Sequence, residues 1–162
     1  MTWLTELPAG DTDWERLRAL FPSSIDAFDD IQRAAWTLFD PVVLELCRLR
    51  MATLLRFDGG LALRSEQARA AGLDEEKIAA LASWPTSPLF SAAERACLAL
   101  AEQFLMDANG VTDELVGDVL KHYSGEECYR LVTALSAFER LQRGCLTLGL
   151  DTSPESAWLT ES

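Results

Sequence analysis

The sequence predicts an all-α protein. Apolar residues recur at three-to-four spacing through most of the 162 residues, helix-capping residues punctuate those runs, and no stretch alternates with period two long enough to make a strand. Asp11 or Thr12 caps a first short helix that runs to Phe21 and is stopped by Pro22. Ser24 starts a second helix, which carries Ile25, Phe28, Ile31, Ala35 and Leu38 at helical spacing. In Asp40-Pro41 an N-cap precedes a proline at the first helical position, and the third helix runs from there to about Arg56. Phe57-Asp58-Gly59-Gly60 reads as a loop. The helix that follows ends at Gly72, a residue suited to a left-handed cap.

Asp74 opens a short helix over DEEKIAALAS, and Pro85 with Pro88 marks a rigid connection. Ser91 and Glu94 have the spacing of a capping box, so a helix begins there and extends to Asn109-Gly110. Thr112 caps DELVGDVLKHY. Ser124 and Glu127 form a second capping box, opening a long helix whose stripe is Cys128, Leu131, Val132, Leu135, Phe138 and Leu141. A single domain is expected over residues 1–162, with 1–21 as an N-terminal extension. Residues 152–162 form a polar C-terminal tail that contains Pro154 and Trp158.

Composition narrows the function classes. Fourteen Lys and Arg face 26 Asp and Glu, a formal charge of −12, which repels nucleic acid and anionic membrane surfaces. The N-terminus lacks the basic and apolar regions of a signal peptide, and no run of about 18 apolar residues occurs, so a cytoplasmic protein is expected. Cys47, Cys97, Cys128 and Cys145 form no C-x-x-C pair and lack zinc-site spacing, so no metal and no cofactor is expected. Each cysteine sits in an apolar helical pattern and reads as a small core hydrophobe. His122, the single histidine, lies in a Lys-His-Tyr-Ser helix end, where an imidazole suits the helix dipole.

The stretch Glu45 to Gly72, ELCRLRMATLLRFDGGLALRSEQARAAG, resembles the active-site segment of the alkylhydroperoxidase D-like, or carboxymuconolactone decarboxylase-like, family. That signature is a Glu, eleven intervening residues, Cys-x-x-Cys, and a His after three more. Here the Glu is Glu45, the cysteine positions fall on Phe57 and Gly60, and the histidine position falls on Arg64. SAAERACLALAEQF, VTDELVGDVLKHYS and EECYRLVTALSAFERLQRGCLTLGL resemble the family's later helices in order and spacing, so the likeness spans about residues 22–150. Many relatives carry Asn-x-x-Asn-Arg in the last helix, where this chain has Glu139, Gln142 and Arg143. The resemblance implies an alkylhydroperoxidase D-like helical bundle that forms a homo-oligomer.

Thiol peroxidation needs a thiolate to attack peroxide and a second sulfur to resolve the sulfenic acid. Phe57 and Gly60 supply neither, and Arg64 does not shuttle protons as His does. What remains is Glu45, Arg64, Asp58, Phe57 and the pair Gly59-Gly60. One reading makes Glu45 a general base and Arg64 an anion clamp, with Phe57, Asp58, Gly59 and Gly60 lining a small-molecule site. The protein is then a cofactor-free lyase or isomerase acting on a small carboxylated or carbonyl compound. The other makes Glu45 and Arg64 a structural ion pair in a non-catalytic oligomeric binding or structural protein.

Overall fold

A computed structural model describes residues 8–150, which form helices joined by short links, with no strand among the described residues. Helix α1 (Asp13–Leu20) opens on a reciprocal capping box, in which the Glu15 N–H donates to the Thr12 hydroxyl and the Glu15 carboxylate accepts from the Thr12 N–H. Helix α2 (Pro22–Ala35) follows at once. Pro22 does not simply stop α1; it takes the first position of α2, where its missing N–H costs no hydrogen bond. The buried face of α2 is centred on Phe28, Gln32 and Ala35, which leaves Ile31 46% exposed rather than in the core. Gln32 ties this face to the last helix by donating from Nε2 to the Ala137 carbonyl at 2.9 Å.

Helix α3 (Pro41–Leu55) is the central element. The Asp40 carboxylate accepts from the Val43 N–H at 3.0 Å, and the helix ends on Arg56 in the left-handed region (φ 56°). Every residue from Val43 to Leu49 is buried, because α3 is enclosed on several sides instead of presenting one face. Phe57 to Gly60 is not an open loop: Asp58–Leu61 form a single helical turn, α4. Ser65 then caps α5 (Glu66–Ala70), accepting from the Ala68 N–H at 3.2 Å, and Gly72 turns the chain at φ 102°. Arg64 therefore precedes α5 rather than lying within it.

Helix α6 (Glu75–Ala79) continues as a 3-10 turn over Ala80–Ser83. Both expected capping boxes are present, Ser91/Glu94 on α7 (Ala92–Met106) and Ser124/Glu127 on α9 (Gly125–Leu148). The α-helical part of α7 stops at Met106, and Ala108–Gly110 form a separate 3-10 turn before Thr112 caps α8 (Asp113–Leu120). α3 packs against α7 and α9, α2 against α9, and α7 against α8. Leu131, Leu135, Phe138 and Leu141 line the buried side of α9, with Val132 at its edge. Burying each large apolar side chain stabilises the fold by roughly 1.5–3 kcal/mol. A smaller cluster gathers Leu17, Phe28, Phe57, Leu141 and Cys145 where α1 and α2 meet α9. No helix among the described residues is long and apolar enough to cross a membrane. Pro154 and Trp158 lie outside the described residues.

Candidate functional site

Glu45 sits on the middle of α3 and is 1% exposed. Its partner is Arg48, one turn along the same helix and fully buried. The two side chains meet as a fork: Arg48 Nε donates to Glu45 Oε2 at 2.7 Å and Arg48 Nη2 to Oε1 at 3.0 Å. The rest of the guanidinium is also used, with Nη1 donating to the Gly60 carbonyl at 2.8 Å and Nη2 to the Leu63 carbonyl at 3.1 Å. Glu45 Oε1 accepts in addition from the Ser65 N–H at 3.0 Å. One ion pair thus joins α3 to the segment 60–65. A buried charge pair is tolerated only when such hydrogen bonds replace the lost water.

Arg64 does not meet Glu45, which corrects the ion pair and the anion clamp expected from the sequence. Its Nε and Nη2 donate to the Glu75 carboxylate at 3.1 to 3.2 Å, and its Nη1 donates to the Leu61 and Leu63 carbonyls at 2.6 and 2.8 Å. The reason is geometric: residues 62–65 are an irregular link, and their course turns Arg64 toward α6. There it borders a cavity of about 250 Å³ with Leu49, Thr53 and Ile78, but its guanidinium is already engaged on both sides. Arg69 reaches the same Glu75 carboxylate. Together these hydrogen bonds, led by that from Arg64, hold the Glu75 carboxyl below its ordinary range.

The four ligand-lining residues separate in the same way. Phe57 is buried, and its ring lies over Gly60: a Cβ built on Gly60 would come within 2.8 Å of Phe57 Cδ1. The ring and the missing side chain are complementary, so the space that a side chain at 60 would need is filled by the residue at 57. Asp58 is exposed at the start of α4, and Gly59 is half-buried beside it. Glu45, Phe57 and Gly60 are brought together around α3; Arg64 and Asp58 are directed elsewhere.

Two further residues contribute that the sequence reading did not assign to the site. The signal for Arg48 was the i,i+3 spacing of Glu45-Leu-Cys-Arg, which puts both charges on one helix face. The other is Gln142, which is fully buried on α9 and donates from Nε2 to the Arg48 carbonyl at 3.1 Å. At the same place Arg143 pairs with Glu139 at 2.8 Å and donates to the Leu105 carbonyl at 2.6 Å.

All four cysteines are buried, as expected of small core hydrophobes. Burial pushes the Cys47 thiol well up, and the nearby Cys97 adds to the shift. Burial likewise raises Cys97 to about 12, helped by Cys128, although Tyr123 hydrogen-bonds to it and opposes the rise. Three cysteines distant in sequence therefore share one region of the core, with little tendency to ionise at neutral pH. His122 is exposed just past α8, where its backbone N–H donates to the Val119 carbonyl at 3.0 Å. No cluster of three or more His, Cys, Asp or Glu suited to a metal occurs among the described residues.

The fold is similar to that of a protein of unknown function from Agrobacterium tumefaciens proposed to be the antioxidant defence protein AhpD, with a TM-score of 0.76, 20% identity, and coverage of 85% of this chain and 95% of that one. It is also similar to the debrominase Bmp8 in its apo form, at a TM-score of 0.75 and 16% identity over 91% of this chain and 81% of that one. A cysteine-to-alanine variant of that debrominase in complex with 2,3,4-tribromopyrrole matches at a TM-score of 0.75 and 15% identity, over 88% and 78% of the two chains. At these identities the likeness is one of fold. No curated protein matches the sequence. In sequence, the carboxymuconolactone decarboxylase family matches residues 21–103, just over half of the 162, and includes the whole Glu45 to Gly72 segment. The chain belongs to the carboxymuconolactone decarboxylase family.

Proposed function

We propose that this chain is a non-catalytic member of its family, an oligomeric binding or structural protein without thiol peroxidase chemistry. The observation that carries this reading is the closed state of the Glu45 centre. Both carboxylate oxygens are bound by Arg48 and the Ser65 N–H, the side chain is 1% exposed, and the Phe57 ring fills the space over Gly60. A general base must reach the proton it removes, either directly or through one water. Glu45 has no such access without breaking a buried ion pair. That argues against the cofactor-free lyase or isomerase, and the pairing of Arg64 with Glu75 weighs against the anion clamp that reading required. The raised thiols of Cys47 and Cys97 point the same way, because the thiolate is the nucleophile that peroxide chemistry needs.

The direct test is consumption of an alkyl hydroperoxide in the presence of a dithiol reductant, with thiols counted before and after. No turnover and no paired loss of thiols is expected; turnover coupled to formation of an intramolecular disulfide would sink the reading. For the oligomer, support comes from the apolar groove of about 430 Å³ between α1, α2 and α9, bordered by Phe21, which is 55% exposed, and by Ile25. A second copy of this chain is its proposed occupant, and light scattering at micromolar concentration should return a mass above the monomer's 17.9 kDa.

A further inference from the structure

We propose that the cavity between the start of α7 and the end of α8 binds a small organic carboxylate with a flat apolar body. The inference does not depend on the fate of the Glu45 centre. The cavity holds about 420 Å³, within the range of small-molecule sites. Arg95, Lys121 and His122 line it, with Asp118 as its one carboxylate, and Lys121 engages Asp118 at 2.5 Å. A pocket with two fixed cations and one acid stands out on a chain whose formal charge is −12.

Arg95 is the residue that asks for a ligand. It is the fourth residue of α7, where the helix dipole disfavours a cation, so helix electrostatics do not explain its place. Its Nη2 donates to the Ser87 carbonyl at 2.8 Å, which fixes the guanidinium at the cavity. Its Nε is buried without a hydrogen-bond partner, and no carboxylate pairs with it among the described residues. The buried Nε shows that the fold supplies this guanidinium with no full set of acceptors, and at the edge of the guanidinium that borders the cavity the group whose geometry matches is a carboxylate. Lys121 and His122, past the end of α8, are suited to its helix dipole without any ligand, so they add to the site rather than define it.

The apolar part of the ligand is read from the other wall. The Trp84 indole N–H donates to Glu102 Oε1 at 2.6 Å, and Arg50 also holds that carboxylate. With its polar edge anchored there, Trp84 offers ring carbon to the cavity, beside Ala92, Ala96 and Ala99 of α7. A flat hydrocarbon body against indole and alanine, with its acid group on Arg95, meets both walls at once.

Benzoate is the probe, and benzamide its neutral counterpart of nearly the same shape. Calorimetric titration of the whole protein should show saturable binding of benzoate and at least about tenfold weaker binding of benzamide. The Arg95→Gln variant should abolish benzoate binding, and Lys121→Gln should weaken it while leaving the fold intact, since Lys121 is exposed. Amide shifts induced by benzoate in the wild-type protein should centre on residues 92–99 and 118–122. No binding of benzoate, equal affinity for benzamide, undiminished affinity in R95Q or in K121Q, or shifts centred elsewhere would each overturn the proposal.

Discussion

Arg48 and Arg95 are both cations drawn toward the interior by α-helices, and the protein treats them in opposite ways. Arg48 has no exposed surface, hydrogen bonds from all three guanidinium nitrogens and a carboxylate on its own helix; Arg95 is half-buried, with a hydrogen bond to a carbonyl and an Nε left without an acceptor. The first is complete and therefore closed to ligands. The second is incomplete and borders a cavity. A charge held away from water does not by itself mark a functional site; what distinguishes the two is whether the protein supplies every acceptor. By that criterion Glu45 and Arg48 brace α3 against the segment 60–65, and the arginine without a carboxylate partner among the described residues lies on α7.

The largest effect that can break this comparison is on stability. Arg48→Ala strands the Glu45 carboxylate in the core and frees the Gly60 and Leu63 carbonyls, so it should cost roughly 3–5 kcal/mol. Arg95→Ala, read in the same urea titrations, should stay within about 1 kcal/mol, because the lost carbonyl hydrogen bond is offset by relief of the unpaired Nε. Equal losses in the two variants would mean that the arginines play the same role. Replacing both members of the pair, Glu45→Leu with Arg48→Met, should recover much of the loss, since two apolar groups leave no unpaired charge behind.

A smaller effect tests how tightly Phe57 and Gly60 are packed against each other. Gly60→Ala puts a Cβ against the Phe57 ring, which is itself buried and has little room to move, at a cost of roughly 1–3 kcal/mol. The penalty should shrink in a Phe57→Leu background. A double-mutant cycle with coupling of about 0.5 kcal/mol or more between positions 57 and 60 is the expected result. Independent, additive losses would show that the ring does not fill the space in question.

How far the sequence reaches is clear from the same residues. The capping boxes at Ser91/Glu94 and Ser124/Glu127 were legible because capping is local: the residues that form each box lie within four positions. The family likeness was legible in the same way, from one ordered segment and the helices after it. Pro22 and α4 were misread because a proline or a pair of glycines marks a change of direction without saying whether a helix starts or stops there. The partner of Glu45 was misassigned for a different reason. Arg64 is near in topology, but which way its side chain leaves the irregular link 62–65 depends on α6, whereas Arg48 needed only helical periodicity. The Arg95 cavity was invisible, because it is assembled by a 3-10 turn, α7 and α8 from residues far apart in the chain.

The smallest effect sharpens the contrast between Arg48 and the residue first matched to Glu45. Arg64 pairs with Glu75 at the surface, with the two side chains 24% and 60% exposed, so water and salt screen the attraction. Arg64→Ala should therefore cost no more than about 1 kcal/mol at neutral pH. The sign of its pH dependence follows from Glu75, whose carboxyl is held below its ordinary value mainly by the hydrogen bond from Arg64. A group with a depressed folded value contributes stability above its unfolded value, here an ordinary carboxylate value of 4.5, and loses it as pH falls through the folded one. Wild type and variant should thus differ slightly at pH 7 and converge as pH falls through the depressed folded value of Glu75, below which its carboxyl is protonated in both. A loss of several kcal/mol at neutral pH, persisting into acid, would instead place Arg64 in a buried network like that of Arg48 and overturn the division drawn between them.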